Sequence, residues 1–246
     1  MIHSFLLIGQ SNMAGRGYID EVEPIENPNI KVLRNGRWQT MYVPVNCDRV
    51  FSGISLAESF ADAYQKEHGV EVGLIPCADG GTRIEQWQKG SLLYDNAVFQ
   101  SKLAERTSTL VGVLWHQGES DCELEYCDIY TNRFEKFYVD LQKDLKLSDV
   151  PFLIGGLGDF LENYDGISEY YQNINSQLKI IADKNEMVGY VSAKGLESNP
   201  DNLHFNSKSL REFGLRYYHE FKKLEKDRIF VEKVYDDFHR TYIESL

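Results

Sequence analysis

Along most of this chain, short apolar segments alternate with longer amphipathic ones. Five short segments are apolar almost throughout, as is typical of strands in a parallel sheet covered on both faces: 3–8, 70–76, 110–115, 151–156 and 187–192. Between them, apolar residues recur at helical spacing, as in 57–69, where Gly69 stands at the position of a left-handed C-cap. The pattern therefore predicts an α/β fold, in which helices connect parallel strands.

The length of 246 residues favours one domain, since domains commonly have roughly 100 to 200 residues. We predict a single domain over 1–246, a three-layer α/β/α sandwich with a mainly parallel sheet of five strands, flavodoxin-like in outline. Further helices are predicted over 123–147, 167–185 and 207–226. Asn35-Gly36 lies between two β-prone runs and predicts a type I′ turn in a surface hairpin over 31–41.

The C-terminal residues 227–246 are rich in charge but keep apolar residues at helical spacing. They predict a helical extension of the domain. Its apolar face could be buried in two ways, by packing on its own domain or by contact with a second copy of the chain in a homodimer.

Charge and hydropathy exclude several classes of partner. The net charge of −12 opposes binding to polyanions, because phosphate recognition depends on clustered Lys and Arg. No apolar run approaches the roughly 18 residues of a membrane-spanning helix, and no basic segment with a following apolar region marks a secretory signal. We therefore expect a cytoplasmic protein with reduced cysteines that binds neither nucleic acid nor membrane.

The segment after the first strand is Gly9-Gln10-Ser11-Asn12-Met13-Ala14-Gly15. In open α/β sheets, ligands bind beyond the carboxyl ends of the strands. A serine in such a turn can expose its hydroxyl among backbone N–H groups. The alternative is structural, with Ser11 or Asn12 as the N-cap of a helix.

The second strand is followed by Gly80-Gly81-Thr82. Paired glycines allow the backbone to approach a ligand and to direct N–H groups at a developing negative charge. A plain tight turn accounts for them equally well.

The third strand continues into His116-Gln117-Gly118-Glu119-Ser120-Asp121. One interpretation is a metal site formed by His116, Glu119 and Asp121. The other makes Gln117 a hydrogen-bond donor and Glu119 a buried acceptor. Because no second cluster of His or Cys completes a coordination sphere, we predict no metal and no other cofactor.

A late Asp/His pair, Asp201 and His204, stands before the last predicted helix. A carboxylate that accepts from one imidazole nitrogen leaves the other nitrogen free to take a proton from a hydroxyl. The alternative is a capping aspartate beside a surface histidine. Combined with the strand-end serine, the glycines and the strand-end amide, the pair indicates a hydrolase that forms an acyl intermediate on serine.

These four segments resemble the SGNH hydrolase superfamily, and within it the branch of sialate O-acetylesterase-like and acetylxylan esterase (carbohydrate esterase family six) proteins. The resemblance implies Ser11 as nucleophile, His204 as base and Asp201 as the acid that orients it. It also implies an oxyanion hole formed by the Ser11 N–H, the N–H of Gly80 or Gly81, of which we favour Gly81, and the Gln117 side chain. The usual third donor of the superfamily is an Asn rather than a Gln.

Other residues are expected to support the site or to bind substrate: Gln10, Glu119, Arg83 and Trp87. Glu119 would assist the histidine. Trp87 would stack on a sugar ring, or else pack in the core. Arg83 or Arg49 would suit an acidic sugar such as sialic acid, or else would pair with a surface carboxylate.

The function predicted from these residues is hydrolysis of O-acetyl groups from a small acetylated sugar or oligosaccharide. Acetylated xylan and sialate are both candidate substrates. Two alternatives are a non-catalytic sugar-binding protein of the same fold and a lipase or thioesterase of the same superfamily.

Overall fold

The computed structural model describes residues 1–164 and 170–225. Its strands are β1 (Ile2–Gly9), β2 (Ile30–Arg34), β3 (Arg37–Thr40), β4 (Glu71–Pro76), β5 (Ser108–His116), β6 (Phe152–Gly155) and β7 (Val188–Val191). Its α-helices are α1 (Ser11–Ala14), α2 (Ala57–His68), α3 (Leu92–Ala104), α4 (Leu124–Cys127), α5 (Tyr130–Leu145), α6 (Tyr171–Asp183) and α7 (Ser207–Leu224).

All described strands form one sheet in the order β3-β2-β4-β1-β5-β6-β7. Neighbouring strands are parallel except for β2 and β3, which form an antiparallel hairpin. Without this hairpin, the strands have the flavodoxin-like order 2-1-3-4-5. The mainly parallel sheet is confirmed, but the predicted number of five strands is wrong, since the sheet has seven.

The two additional strands come from the predicted hairpin. Its turn has positive φ angles at Asn35 (51°) and Gly36 (73°), as a type I′ turn requires. The hairpin is not confined to the surface, because β2 pairs with β4 along the sheet edge and Val32 is fully buried opposite Leu74. Burial of the apolar side chains of β2 thus brings the hairpin into the sheet and adds two strands to it.

Two cores lie on opposite faces of the sheet. Successive side chains of a strand point to opposite faces, and in β1 Phe5 and Leu7 join the core under α2 and α7. Leu6 and Ile8 join the core under α3, α5 and α6. Every residue of β1 is therefore buried, and the predicted three layers are confirmed.

The helices follow most of the predicted segments. Helix α2 ends at His68, and the φ of 66° at the following Gly69 is that of a left-handed C-cap. The predicted helix over 123–147 is divided into α4 and α5. The predicted extension 227–246, with its alternative as a dimer contact, lies outside the described residues. Within 1–164 and 170–225, no helix is both long and apolar enough to cross a membrane.

Candidate active site

The carboxyl ends of β1, β4 and β5 lie side by side, because β1 pairs in parallel with both other strands. The segments that follow these strands, together with the loop before α7, surround a cavity of about 540 Å³. This is the edge at which parallel α/β sheets bind their ligands. The four segments selected from the sequence therefore meet at one cavity.

Ser11 is the first residue of α1 and lines the cavity, with 6% of its surface exposed. β1 reaches it through Gly9, whose φ is 127°. A Cβ atom at Gly9 would lie 2.1 Å from the His116 carbonyl oxygen, so only glycine permits this contact between the ends of β1 and β5. The N–H of Gln10 donates to the same oxygen at 2.9 Å, which fixes the turn that presents Ser11.

Ser11, His204 and Asp201 form a continuous hydrogen-bonded chain. His204 Nε2 lies 3.0 Å from Ser11 Oγ, and His204 Nδ1 lies 2.7 Å from Asp201 Oδ2. Because an ionised carboxylate can only accept, Nδ1–H donates to Asp201 and Nε2 is left to accept from the Ser11 hydroxyl. This arrangement can transfer the hydroxyl proton to the imidazole.

Asp201 is held in its ionised form by its own loop. Its Oδ1 accepts from the N–H groups of Leu203 and His204, both at 2.9 Å. Burial opposes ionisation, but these bonds and the bond to the His204 ring outweigh it and lower the pKa of Asp201 below its ordinary value. Asp201 therefore shapes the turn and orients the imidazole at once.

Two backbone N–H groups remain available beside Ser11. Among the described residues, neither the N–H of Ser11 nor the N–H of Gly81 donates a hydrogen bond. The N–H of Gly80, in contrast, donates to Asp48 Oδ2 at 2.9 Å. Of the two glycines, Gly81 thus has the free donor.

A buried ion pair holds this glycine loop. Asp48 and Arg16 approach to 2.6 Å, with side chains 4% and 5% exposed. Asp48 also accepts from Ser52 Oγ and Gly80 N–H. Burial opposes the ionisation of Asp48, but the bond to Arg16 and these two contacts outweigh it and lower the pKa of Asp48. A Cβ atom at Gly80 would lie 2.5 Å from Arg16 Nη2, so a larger residue at position 80 would displace the Arg16 guanidinium from its place beside Asp48.

The Asp48→Ala variant is expected to lose about 3–5 kcal/mol of unfolding free energy, because it leaves the Arg16 charge buried and unpaired. Urea unfolding followed by circular dichroism would measure the loss. Lys136→Ala is the control, since its ion pair with Asp140 is exposed and should contribute about 1 kcal/mol or less. Equal losses in the two variants would contradict the structural role of the buried pair.

The structure contradicts the expected position of Gln117. Its side chain is fully buried and does not line the cavity. Its Nε2 donates to the Thr82 carbonyl oxygen at 2.9 Å and to the Asp121 carboxylate, while Tyr130 OH donates to its Oε1. Gln117 therefore has no free donor for an oxyanion, because partners distant in sequence occupy its amide.

Gln10 places an amide at the cavity instead. Its side chain is 3% exposed and lines the cavity. Its Oε1 accepts from the N–H groups of Gly118 and Ser120 at 3.4 and 3.3 Å. Among the described residues, no acceptor is bonded to its Nε2, so this donor remains available beside Ser11.

The metal alternative also fails on geometry. His116 and Glu119 are in contact, 3.0 Å apart, but the Asp121 carboxylate accepts from Gln117 and from the Ile84 N–H instead. Over 1–164 and 170–225, no group of three or more His, Cys, Asp or Glu side chains is arranged to hold a metal ion.

Glu119 contacts Asn12 rather than His204. Asn12 Nδ2 donates to Glu119 Oε1 at 2.6 Å, and His116 Nε2 is 3.0 Å from the same oxygen. Asn12 also bonds to the backbone of the loop that carries His204. The sequence had suggested only a helix cap for Asn12, although its position directly after Ser11 was a clue to its proximity.

Trp87 cannot stack on a substrate in this structure, because it is fully buried and packs edge-to-face on Trp115. Among the described residues, the phenyl ring of Phe51, which is 66% exposed, and the phenol ring of Tyr164 line the cavity. Phe51 gives no periodic signal in the sequence, since it lies in a loop before α2.

In the described part of the chain, three arginines line the cavity, and each is paired with a carboxylate. Arg16 pairs with Asp48, Arg49 with Asp79 at 2.9 Å, and Arg83 with Glu123 at 2.9 Å. Arg83 also donates to the Ser120 carbonyl oxygen and lies over the Tyr126 ring.

Residues 1–223 match the family described as carbohydrate esterase, sialic acid-specific acetylesterase. A probable carbohydrate esterase of Arabidopsis thaliana is 31% identical over 235 residues, which cover 86% of each chain.

Solved structures have the same fold. The X-ray structure of an Arabidopsis thaliana protein has a TM-score of 0.81 and 28% identity, covering 90% of this chain and 98% of that one. The structure of NanS has a TM-score of 0.73 and 16% identity, covering 90% and 97%.

Proposed function

Because the chain belongs to the sialic acid-specific acetylesterase family of carbohydrate esterases, we propose that it removes O-acetyl groups from sugars through an acetyl intermediate on Ser11. The chain is a carboxylic ester hydrolase of the SGNH type. The observation that supports the proposed mechanism is the distance of 3.0 Å between Ser11 Oγ and His204 Nε2.

In the first half-reaction, Ser11 Oγ attacks the acetyl carbonyl carbon as His204 Nε2 takes the hydroxyl proton. The carbonyl electrons move to oxygen. When they return, the bond to the sugar oxygen breaks, and His204 passes its proton to that oxygen. In the second half-reaction, His204 Nε2 takes a proton from water, which attacks the carbonyl carbon of the acetyl-serine. As the bond between that carbon and Ser11 Oγ breaks, His204 returns the proton to Ser11 Oγ and acetate leaves.

Three donors would stabilise the oxyanion: the N–H groups of Ser11 and Gly81 and the Nε2 of Gln10. All three residues line the cavity, and none of these donors has another acceptor among the described residues. Donors already in place before the reaction cost no reorganisation when charge develops.

The cavity favours a short acyl group and a polar alcohol. Among the described residues that line it, apart from glycines, three have an aliphatic, phenyl or phenol side chain: Phe51, Tyr164 and Leu203. A lipase would need apolar surface for a long acyl chain. We propose that the acetyl group lies beside Ser11 and that the sugar packs on the exposed ring of Phe51.

The paired arginines favour a neutral sugar over an acidic one. A substrate carboxylate would have to compete with Asp48, Asp79 or Glu123 for its cation. The net charge of −12 also repels anions as they approach. Acetylated neutral mono- or oligosaccharides are therefore the proposed substrates. The cytoplasmic location predicted above, which cell fractionation would test, would restrict them to short sugars that enter the cell.

Acetate release from a panel of acetylated sugars would test this substrate class. We expect kcat/KM to be about tenfold higher or more for acetylated xylo-oligosaccharides than for an O-acetylated sialic acid, because only the latter needs a free cation. A preference for the sialic acid would contradict the proposed substrate. Faster hydrolysis of p-nitrophenyl octanoate than of the acetate would favour the lipase alternative.

A further inference from the structure

Asn12 bonds to the backbone on both sides of His204. Its Nδ2 donates to the carbonyl oxygen of Leu203 at 3.2 Å, and its Oδ1 accepts from the N–H of Phe205 at 3.1 Å. Leu203 and Phe205 are the two neighbours of His204 in the chain. Asn12 is 1% exposed, so water hardly competes for these bonds.

From these contacts we infer that Asn12 is a positioning residue that sets the separation of Ser11 Oγ and His204 Nε2. The inference rests on the proposed function, because it takes His204 as the acceptor of the Ser11 proton. Ser11 and Asn12 are adjacent in α1, so the bonds from Asn12 tie the loop of His204 to the segment that carries the nucleophile.

Asp201 does not duplicate this role. It lies three residues before His204 in the same loop, and its carboxylate bonds to groups of that loop. Such bonds orient the imidazole ring within the loop. They do not set the distance between the loop and Ser11. That distance depends on contacts between the two segments, such as those of Asn12.

Glu119 determines which way the Asn12 amide points. Its Oε1 accepts from Asn12 Nδ2 at 2.6 Å, and His116 holds the same oxygen from the other side. Burial opposes the ionised form of Glu119, but His116 and Asn12 outweigh it and lower its pKa. Since a carboxylate accepts, the amide nitrogen faces Glu119 and Leu203, and the amide oxygen is left for the N–H of Phe205.

The Asn12→Ala variant should act on the chemical step. With p-nitrophenyl acetate, we expect kcat to fall about 10- to 100-fold and KM to change by less than about twofold, because a shift of about 1 Å between reacting groups costs rate rather than binding.

Asn175→Ala is the matched control. Asn175 also clamps a backbone, donating to the Leu157 carbonyl oxygen at 3.0 Å and accepting from the Leu157 N–H at 2.7 Å. It contacts none of Ser11, Asp201 and His204. Asn12→Ala loses three hydrogen bonds and Asn175→Ala loses two. Both variants should lose stability, but only Asn12→Ala should lower kcat. Similar kcat losses in both would assign the effect to stability alone and overturn the inference.

A double-mutant cycle with His204→Ala gives the decisive result. If Asn12 acts through His204, adding Asn12→Ala to His204→Ala should change the residual rate by less than about twofold. A further loss equal to that of Asn12→Ala alone would overturn the positioning role.

The outcomes separate the inference from the function on which it rests. An unchanged rate in His204→Ala would overturn the proposed function and the inference together. A rate lowered by His204→Ala but not by Asn12→Ala would overturn the inference alone. Should Asn12→Ala fail to fold, Asn12→Asp keeps the acceptor for the Phe205 N–H but loses the donor to Leu203. A wild-type kcat in Asn12→Asp would then overturn the inference.

Discussion

Replacing Ser11 by alanine is expected to lower kcat/KM for acetyl esters by about 10⁴-fold or more, because no acetyl-enzyme can form without the hydroxyl. The fold should persist, since the change removes one oxygen at a cavity wall. The bond that is lost is the one between Ser11 Oγ and His204 Nε2 at 3.0 Å, which belongs to the reacting groups. Acetate release from acetylated xylo-oligosaccharides at high enzyme concentration would measure the residual rate.

Ser59→Ala is the matched control for this change. Ser59 is as buried as Ser11, at 6% exposure, but it lies in α2 and its hydroxyl donates to the Leu56 carbonyl oxygen. It should keep wild-type kcat/KM within about threefold, as substitutions remote from the reacting groups usually do. Equal activity of wild type and Ser11→Ala would refute the acetyl-serine mechanism, and sugar binding without turnover would support the non-catalytic alternative.

The Gln10→Glu variant is expected to lower kcat by about 10²- to 10³-fold, the loss typical of one oxyanion donor. Glutamate retains an Oε1 for the N–H groups of Gly118 and Ser120, so the local backbone keeps its acceptor. It replaces the Nε2 donor at the cavity by an oxygen that repels the oxyanion. Steady-state kinetics with p-nitrophenyl acetate should therefore show the loss in kcat, with KM changed much less.

Gln177→Glu is the control for Gln10→Glu, because Gln177 is bonded to Thr131 and Cys127 in a contact between α5, α6 and the end of α4. It should leave kcat unchanged. An unchanged kcat in Gln10→Glu would remove Gln10 from the oxyanion hole and leave Ser11 and Gly81 as its donors.

Much of the cavity could be predicted because parallel strands place their carboxyl ends at one edge of a sheet. Ser11, Gly81 and His204 each follow or precede a regular element that the apolar pattern revealed, and all three line the cavity. The contact between Asp201 and His204 could also be predicted from their short spacing, since a turn of four residues brings the carboxylate to 2.7 Å from the ring.

The amides could not be distinguished in the same way. Gln10 and Gln117 both follow a strand that ends at the cavity, and the choice between them depends on partners far away in the chain. Thr82 and Asp121 occupy the amide of Gln117, whereas the amide nitrogen of Gln10 stays available. Trp87 presents the same difficulty, because its burial depends on packing against Trp115.

The sequence alone determined the α/β class, the edge of the sheet where a ligand would bind and the segments that reach it, because strand patterning, turn residues and short spacings are local properties. Only the tertiary structure decided that the hairpin extends the sheet, that the cavity arginines pair with carboxylates and that Asn12 bridges to Leu203 and Phe205. Each of these features depends on which residues, distant in the sequence, provide hydrogen-bond or ion-pair partners for a buried backbone group, charge or amide. Those partners are brought together only when the chain has packed into its tertiary structure.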